Sequence, residues 1–139
     1  MAVDQFSLTF ETMGRGALDI SNSIDLKLRD TSVRNGVAHI FLQHTSASMM
    51  LCENADPTVL VDLEMILKNI APDGDPRYQH DYEGDDDMPA HIRSILTSND
   101  ISLPVTNGRL NLGTWQGLFL YEHRYRPHSR KIVVTVIGE

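Results

Sequence analysis

Twelve consecutive residues, His80-Asp81-Tyr82-Glu83-Gly84-Asp85-Asp86-Asp87-Met88-Pro89-Ala90-His91, hold two imidazoles and five acidic side chains. No packed core element tolerates five carboxylates, because an ionised carboxylate leaves water at high cost unless it is paired. Whatever fold the chain adopts must therefore place this stretch at the surface, as a polar loop that runs into a helix start. Pro72-Asp73-Gly74-Asp75-Pro76 carries turn chemistry just before it, which extends the loop from about Ala71 to Asp87. A loop of that length in a compact domain is functional or disordered, and Tyr78, Tyr82 and the flanking histidines favour function. The bland reading is a solvated acidic loop, which needs no histidine at either end. The sharper one is a divalent-metal or substrate site, since imidazole nitrogen and carboxylate oxygen together suit Zn, Mn, Fe or Mg.

The rest of the chain bounds what such a site serves. Its 139 residues suit a single domain spanning 1–139 with one core. With 41% hydrophobic and 22% charged residues it reads as globular. A net charge of −7 argues against a nucleic-acid partner, whose footprint is a basic face, and against an anionic membrane surface. One cysteine, Cys52, excludes an intrachain disulfide and fits a reducing compartment. Cys52 lies in an apolar run and reads as a small packed residue before it reads as a nucleophile. The start, Met1 to Gln5, has no basic region followed by an apolar run, so no signal peptide is expected. No stretch approaches a membrane span. A cytoplasmic protein is the expectation.

Hydrophobic periodicity supplies the elements. Gln5 to Thr12 alternates Phe6, Leu8 and Phe10 against polar neighbours, a strand pattern. Ser21 or Ser23 is placed to cap a helix through Leu28. Val37 to His44 and Ala47 to Glu53 read as strands, with His39 and His44 on opposite faces of the first. Asp56-Pro57 opens a helix carrying Leu60 to Ile70, and Asp87-Met88-Pro89 opens another, with Ile92, Ile95 and Leu96 as its buried stripe. Ile101–Val105, Arg109–Leu112, Trp115–His123 and Lys131–Ile137 read as strands, and Asn107-Gly108 is a hairpin turn. Many strands with about three interspersed helices predict an α+β fold with a largely antiparallel sheet.

Several strings then carry a resemblance. Gln43-His44-Thr45-Ser46-Ala47-Ser48, Glu53-Asn54-Ala55-Asp56-Pro57, the His80–Ile92 stretch, Asn107-Gly108-Arg109-Leu110, Gly113-Thr114-Trp115-Gln116-Gly117 and the closing Gly138-Glu139 resemble the YjbQ family in content and order. The resemblance runs from the first strand to the last residue. It implies a compact, barrel-like α+β subunit assembled as a homotrimer. It also implies a secondary thiamine-phosphate synthase activity: joining hydroxymethylpyrimidine pyrophosphate to thiazole phosphate, with release of pyrophosphate. Cys52 departs from the polar residue the family carries before the Glu53-Asn54 pair, and Pro89 stands where some relatives have a further histidine.

Candidate site residues follow. A lone histidine at the end of an apolar strand face, such as His44, is more often a satisfied core group, but the matched motif turns it toward function. Three neutral imidazoles form the commonest open catalytic metal site, so His44, His80 and His91 are expected to converge on a divalent metal. Asp87 is placed to cap the helix, and Gly84 to supply a positive φ. Asp86 is a candidate ligand, orienting partner or base, with Glu83 as the alternative base. Thr45, Ser46 and Ser48 offer hydroxyls for phosphate oxygens, and a Ser–His acyl-transfer dyad is disfavoured because adjacent strand residues point apart. Glu53 and Asn54 are site candidates that otherwise cap the following helix. Arg109, Arg124 and Arg130 are candidate phosphate clamps. Trp115, with Gln116 beside it, is core or a stacking wall for a heterocycle. His39 is structural, and His123 and His128 are surface residues. The expected ligand is a small phosphorylated molecule. The competing functions are a metal-dependent hydrolase using the same residues, with bound water as attacker, and a non-catalytic trimer that binds a metal or phospholigand.

Overall fold

The computed structural model describes residues 1–139. It contains eight strands and three helices in the order β1 (Ala2–Glu11), β2 (Gly16–Asp19), α1 (Ser21–Leu28), β3 (Gly36–Leu42), β4 (Ala47–Glu53), α2 (Thr58–Ile70), α3 (Asp87–Leu96), β5 (Asp100–Thr106), β6 (Arg109–Leu110), β7 (Gln116–Glu122) and β8 (Ser129–Gly138). Every pairing is antiparallel. A five-stranded sheet runs β1-β8-β3-β5-β6, and a three-stranded sheet runs β2-β7-β4. The sheets curl into a barrel-like α+β fold. Seventeen buried apolar residues fill the space between them, among them Ile40, Leu42, Met49, Leu118, Leu120 and Val134.

Alternation explains the sheets. On β3, Ala38, Ile40 and Leu42 are buried while Val37 and Phe41 are exposed, and His39 lies on that outer side, bonding Ser102 Oγ at 3.0 Å. Strand β7 is buried on both sides from Gly117 onward, as a continuous apolar run in a central strand requires. The β5–β6 turn places Asn107 at φ 53° and Gly108 at φ 74°, the two left-handed residues of a type I′ hairpin. Strand β2 escaped the sequence reading because its four residues bury no alternating apolar face.

The helices correct two expectations. Ser21 is the first residue of α1 and caps nothing; the carboxylate of Asp19 accepts its N–H at 3.0 Å. Helix α2 runs from Thr58, Pro57 before it already has helical dihedrals, and Asp56 Oδ1 accepts from the Thr58 N–H at 2.9 Å, the contact expected of an Asp at a helix start. On α3 the buried residues are Asp87, Pro89, Ala90 and Arg93. Ile95 and Leu96 face outward, 81% and 55% exposed. The helix turns its Arg93 side inward because Arg93 forms a two-pronged pair with Glu64 of α2, at 2.7 and 3.0 Å. No helix is long and apolar enough to cross a membrane.

Candidate functional site

Gly84, at φ +109°, turns the end of the long loop so that α3 begins at Asp87. Asp87 is 2% exposed, and α3 has no side-chain cap hydrogen bond at its start. The expected capping role is therefore corrected. One carboxylate oxygen, Oδ2, lies 2.6 Å from His80 Nε2 and 3.5 Å from His91 Nε2. His91 reaches it because it sits four residues on, one helical turn away on the same face. His80 comes from the loop, and its ring meets that of His91 edge-on at 5.3 Å. His80, Asp87 and His91 each present one donor atom, all within 4.8 Å of one another. Two imidazoles and a carboxylate form a recognised donor set for a divalent ion with open positions.

Arg124, two residues past β7, binds the other oxygen of Asp87 at 2.7 Å, Asp86 Oδ2 at 3.0 Å and the Glu83 carbonyl at 2.8 Å. Burial would raise the carboxyl of Asp87. The hydrogen bond from His80, with the charges of Arg124 and His91, outweighs it and holds the group below the ordinary range. Asp86 shows the same balance: burial is outweighed by the Tyr125 N–H and Arg124. Asp86 thus tethers the loop to the end of β7. Glu83 is half-exposed, 3.8 Å from His80 Nε2.

His44 lies outside this cluster within the chain. Its Nε2 accepts the Lys131 N–H at 2.8 Å, so a neutral His44 carries its proton on Nδ1. Burial, then Arg130, lowers its basicity. It nevertheless lines the same polar cleft as His91, about 460 Å³, together with Thr45, Ser94, Thr97 and Ser98. Asp87 occupies the third place that the sequence reading gave to His44.

The remaining candidates separate. Ser46 Oγ accepts from Arg130 at 2.9 Å, and Arg130 is paired with Glu122. Ser48 is buried against His123, 2.8 Å from Oγ to Nε2. His123, expected at the surface, is fully buried; burial, then Arg93, Arg15 and Arg130, push it down to about 3. The signal was present, since His123 directly follows the buried run of β7. Glu53, Asn54, Trp115 and Gln116 gather at the opposite end of β4 and β7. There the Asn54 N–H donates to Trp115 O at 3.0 Å, the Asn54 amide to Gln116 O at 3.2 Å, the Gly113 N–H to Gln116 Oε1 at 2.9 Å, and the Asp56 N–H to Glu53 Oε2 at 3.1 Å. Six residues of strand, about 20 Å, separate Glu53 from Ala47, and Trp115 is 64% exposed. Arg109 is exposed on β6, 3.8 Å from Asp25.

Residues 6–139 match the family described as UPF0047 protein YjbQ-like. The chain is 47% identical over 132 residues to a UPF0047 protein of Synechocystis, covering 95% of this chain and 90% of the relative. It is 46% identical over 136 residues to the UPF0047 protein YjbQ of Escherichia coli, covering 97% and 98%. A conserved hypothetical protein of Thermus thermophilus superposes with a TM-score of 0.86 at 33% identity, over 95% of this chain and 99% of that one. A hypothetical protein of Aeropyrum pernix superposes with 0.87 at 26% identity, over 98% and 99%.

Proposed function

The chain belongs to the UPF0047 YjbQ-like family, and we propose that it is a metal-assisted enzyme acting on a small phosphorylated substrate, in specific form a secondary thiamine-phosphate synthase. The observation that carries the metal reading is the convergence of His80, Asp87 and His91 beside a cleft walled by hydroxyls and by His44. These three residues are the ligands. A divalent cation bound there, whether Zn, Mn, Fe or Mg, supplies positive charge for phosphate oxygens.

That charge has no substitute among the nearby arginines. Arg124 and Arg130 are committed to Asp86, Asp87 and Glu122, and Arg109 lies on β6 beside Asp25. Thr45 offers a hydroxyl donor in the cleft, whereas the hydroxyls of Ser94 and Ser98 donate to the Ala47 and Asp100 carbonyls and are left to accept. His44, held neutral with its proton on Nδ1, donates to an oxygen of the substrate. In the synthase reaction the thiazole nitrogen attacks the pyrimidine methylene carbon, the carbon–oxygen bond breaks, and pyrophosphate leaves with the electron pair. No protein nucleophile is required, in keeping with the burial of Ser48. The free carboxylate of Glu83 near His80 favours a second reading, a hydrolase in which Glu83 is the base.

Exposed Val61, Ile66, Ile70, Ile95 and Leu96 on α2 and α3 support self-association as a homotrimer, and the single cysteine supports a cytoplasmic setting. The test pairs elemental analysis of chelator-free protein with a thiamine-phosphate formation assay in the reconstituted metal. Near-stoichiometric metal lost in His80→Ala and His91→Ala, with turnover collapsing in His44→Ala, is the expected result. Equal turnover in His44→Ala and the parent would overturn the enzyme reading in favour of a binding protein.

A further inference from the structure

We propose that Arg124 is a positioning residue for this site: it draws Asp87 away from the helix start and sets which of its oxygens faces the two imidazoles. The inference rests on the metal reading above for its consequence, and on geometry for its mechanism.

An Asp in the first turn of a helix has a default partner, the free backbone N–H groups there. Asp86 and Asp87 both stand at the start of α3, yet neither makes a side-chain cap hydrogen bond. Arg124 takes both. Its Nε donates to Asp86 Oδ2 at 3.0 Å, its Nη1 to Asp87 Oδ1 at 2.7 Å, and its Nη2 to the Glu83 carbonyl at 2.8 Å. Three donors fixed in one plane, aimed at three acceptors, leave the guanidinium no freedom to rotate. A carboxylate is planar too. Once Oδ1 is held along one arm of Arg124, Oδ2 points away from it, toward His80 at 2.6 Å and His91 at 3.5 Å. Because Oδ1 is engaged, Asp87 offers an ion one oxygen. The cluster then presents three donor atoms and keeps positions open for a substrate, as a catalytic site requires and a closed structural site does not. Arg124 sits just beyond β7, so the rigid central strand of the small sheet dictates the geometry of a group on the loop–helix junction.

Two readouts test this, one without metal. In metal-free protein, imidazole ¹⁵N resonances of His80 and His91 are compared for the parent, Arg124→Gln, Arg124→Lys and Asp86→Asn. Zn(II) affinity is then measured by competition titration for the same four, with thermal melts reporting the fold. Arg124→Gln is expected to move both imidazoles and to weaken Zn(II) binding about 10–100-fold, the usual size for loss of a partner that orients a ligand. Arg124→Lys restores part of that loss through a single contact to Asp87. Asp86→Asn, which loosens the loop tether but spares the Arg124–Asp87 contact, changes affinity less than about threefold. Equal losses in Asp86→Asn and Arg124→Gln would overturn the proposal and leave a loop tether only. Unmoved imidazoles in both Arg124 variants would overturn it as well. A parent that takes up no divalent ion, while Arg124→Gln still moves both imidazoles, sinks the metal reading and keeps Arg124 as the residue that positions Asp87.

Discussion

Strand β7 is buried on both faces, but the two faces are buried by different chemistry. Toward the large sheet, Leu118 and Leu120 join the apolar core, and only at the end of the strand does Glu122 meet Arg130 of β8. Toward α2 and α3, Tyr121 and His123 lie in a layer of paired charges: the Tyr121 hydroxyl bonds Glu64, Glu64 holds Arg93, and Arg15 holds Asp73. The first layer is non-directional and tolerates small shifts. The second is directional, and each member leaves its partner buried and unpaired when removed. Helix α3 carries both Arg93 of the charged layer and His91 of the candidate site, so the stability of the one and the geometry of the other are linked through the same helix.

The sharpest break of that contrast is Glu64→Ala. Arg93 is fully buried and its two terminal nitrogens are bound to Glu64, so truncating Glu64 strands a buried cation at a cost of about 3–5 kcal/mol. Replacing both residues, Glu64→Leu with Arg93→Met, is expected to recover most of the loss, because a packed apolar pair removes the charge as well as its partner. Urea unfolding measures both. A single-variant loss under about 1 kcal/mol would show that water relieves Arg93 and that the layer is not closed. On the other face, Leu120→Ala is expected to cost about 3 kcal/mol from lost transfer energy and the cavity. Its partner replacement has no rescuing equivalent, since no unpaired group is left behind.

Acid separates the faces next. His123 titrates at about 3 in the folded chain, against about 6.5 when unfolded. Between those values the unfolded chain binds more protons than the folded one, so His123 contributes stability that is complete above about pH 6.5 and is lost as pH falls toward 3. By pH 5 the loss is about 2 kcal/mol. Stability measured from pH 7 to pH 5 should therefore fall more steeply in the parent than in His123→Asn. Parallel slopes would mean that His123 is not held neutral by its surroundings. The Leu120→Ala variant should keep the parent slope, because it leaves every titrating group in place.

The difference between the faces also explains what could be read from the sequence. The apolar layer announces itself by period: the alternation on β3, the run on β7 and the Asn107-Gly108 hairpin needed only local rules. The loop with its histidines, the positive φ of Gly84 and the outward His39 were legible for the same reason. The charged layer was not, because pairing between Arg93 and Glu64, or Arg124 and Asp87, joins residues 29 and 37 positions apart and has no local period. Helix α3 is the clearest case. Its apolar stripe, Ile92-Ile95-Leu96, pointed to one buried face, yet the buried pair Arg93–Glu64 selected another. Asp87 fails the capping rule in the same way, since a distant guanidinium competes for its carboxylate. Glu53 and Asn54 were grouped with His44 by proximity along the chain, but β4 carries them to its other end.

The smallest effect, and the one that tests the outward side of that selection, is Ile95→Ser. Ile95 is 81% exposed, so in an isolated chain its replacement should change unfolding stability by less than about 0.5 kcal/mol. Ile66 and Ile70 on α2 and Leu96 on α3 are exposed as well. If copies of the chain cover this apolar surface, Ile95→Ser should leave the stability of dilute protein nearly unchanged while lowering its mass in solution, measured by light scattering across a concentration series. A mass unchanged by Ile95→Ser and by Ile66→Ser alike would place any assembly contact elsewhere, on the outer face of the large sheet, where Val37, Phe41 and Ile137 are also exposed. In that case the outward apolar residues of α3 serve no contact of their own, and the buried pairs Arg93–Glu64 and Asp87–Arg124 set the orientation of the helix.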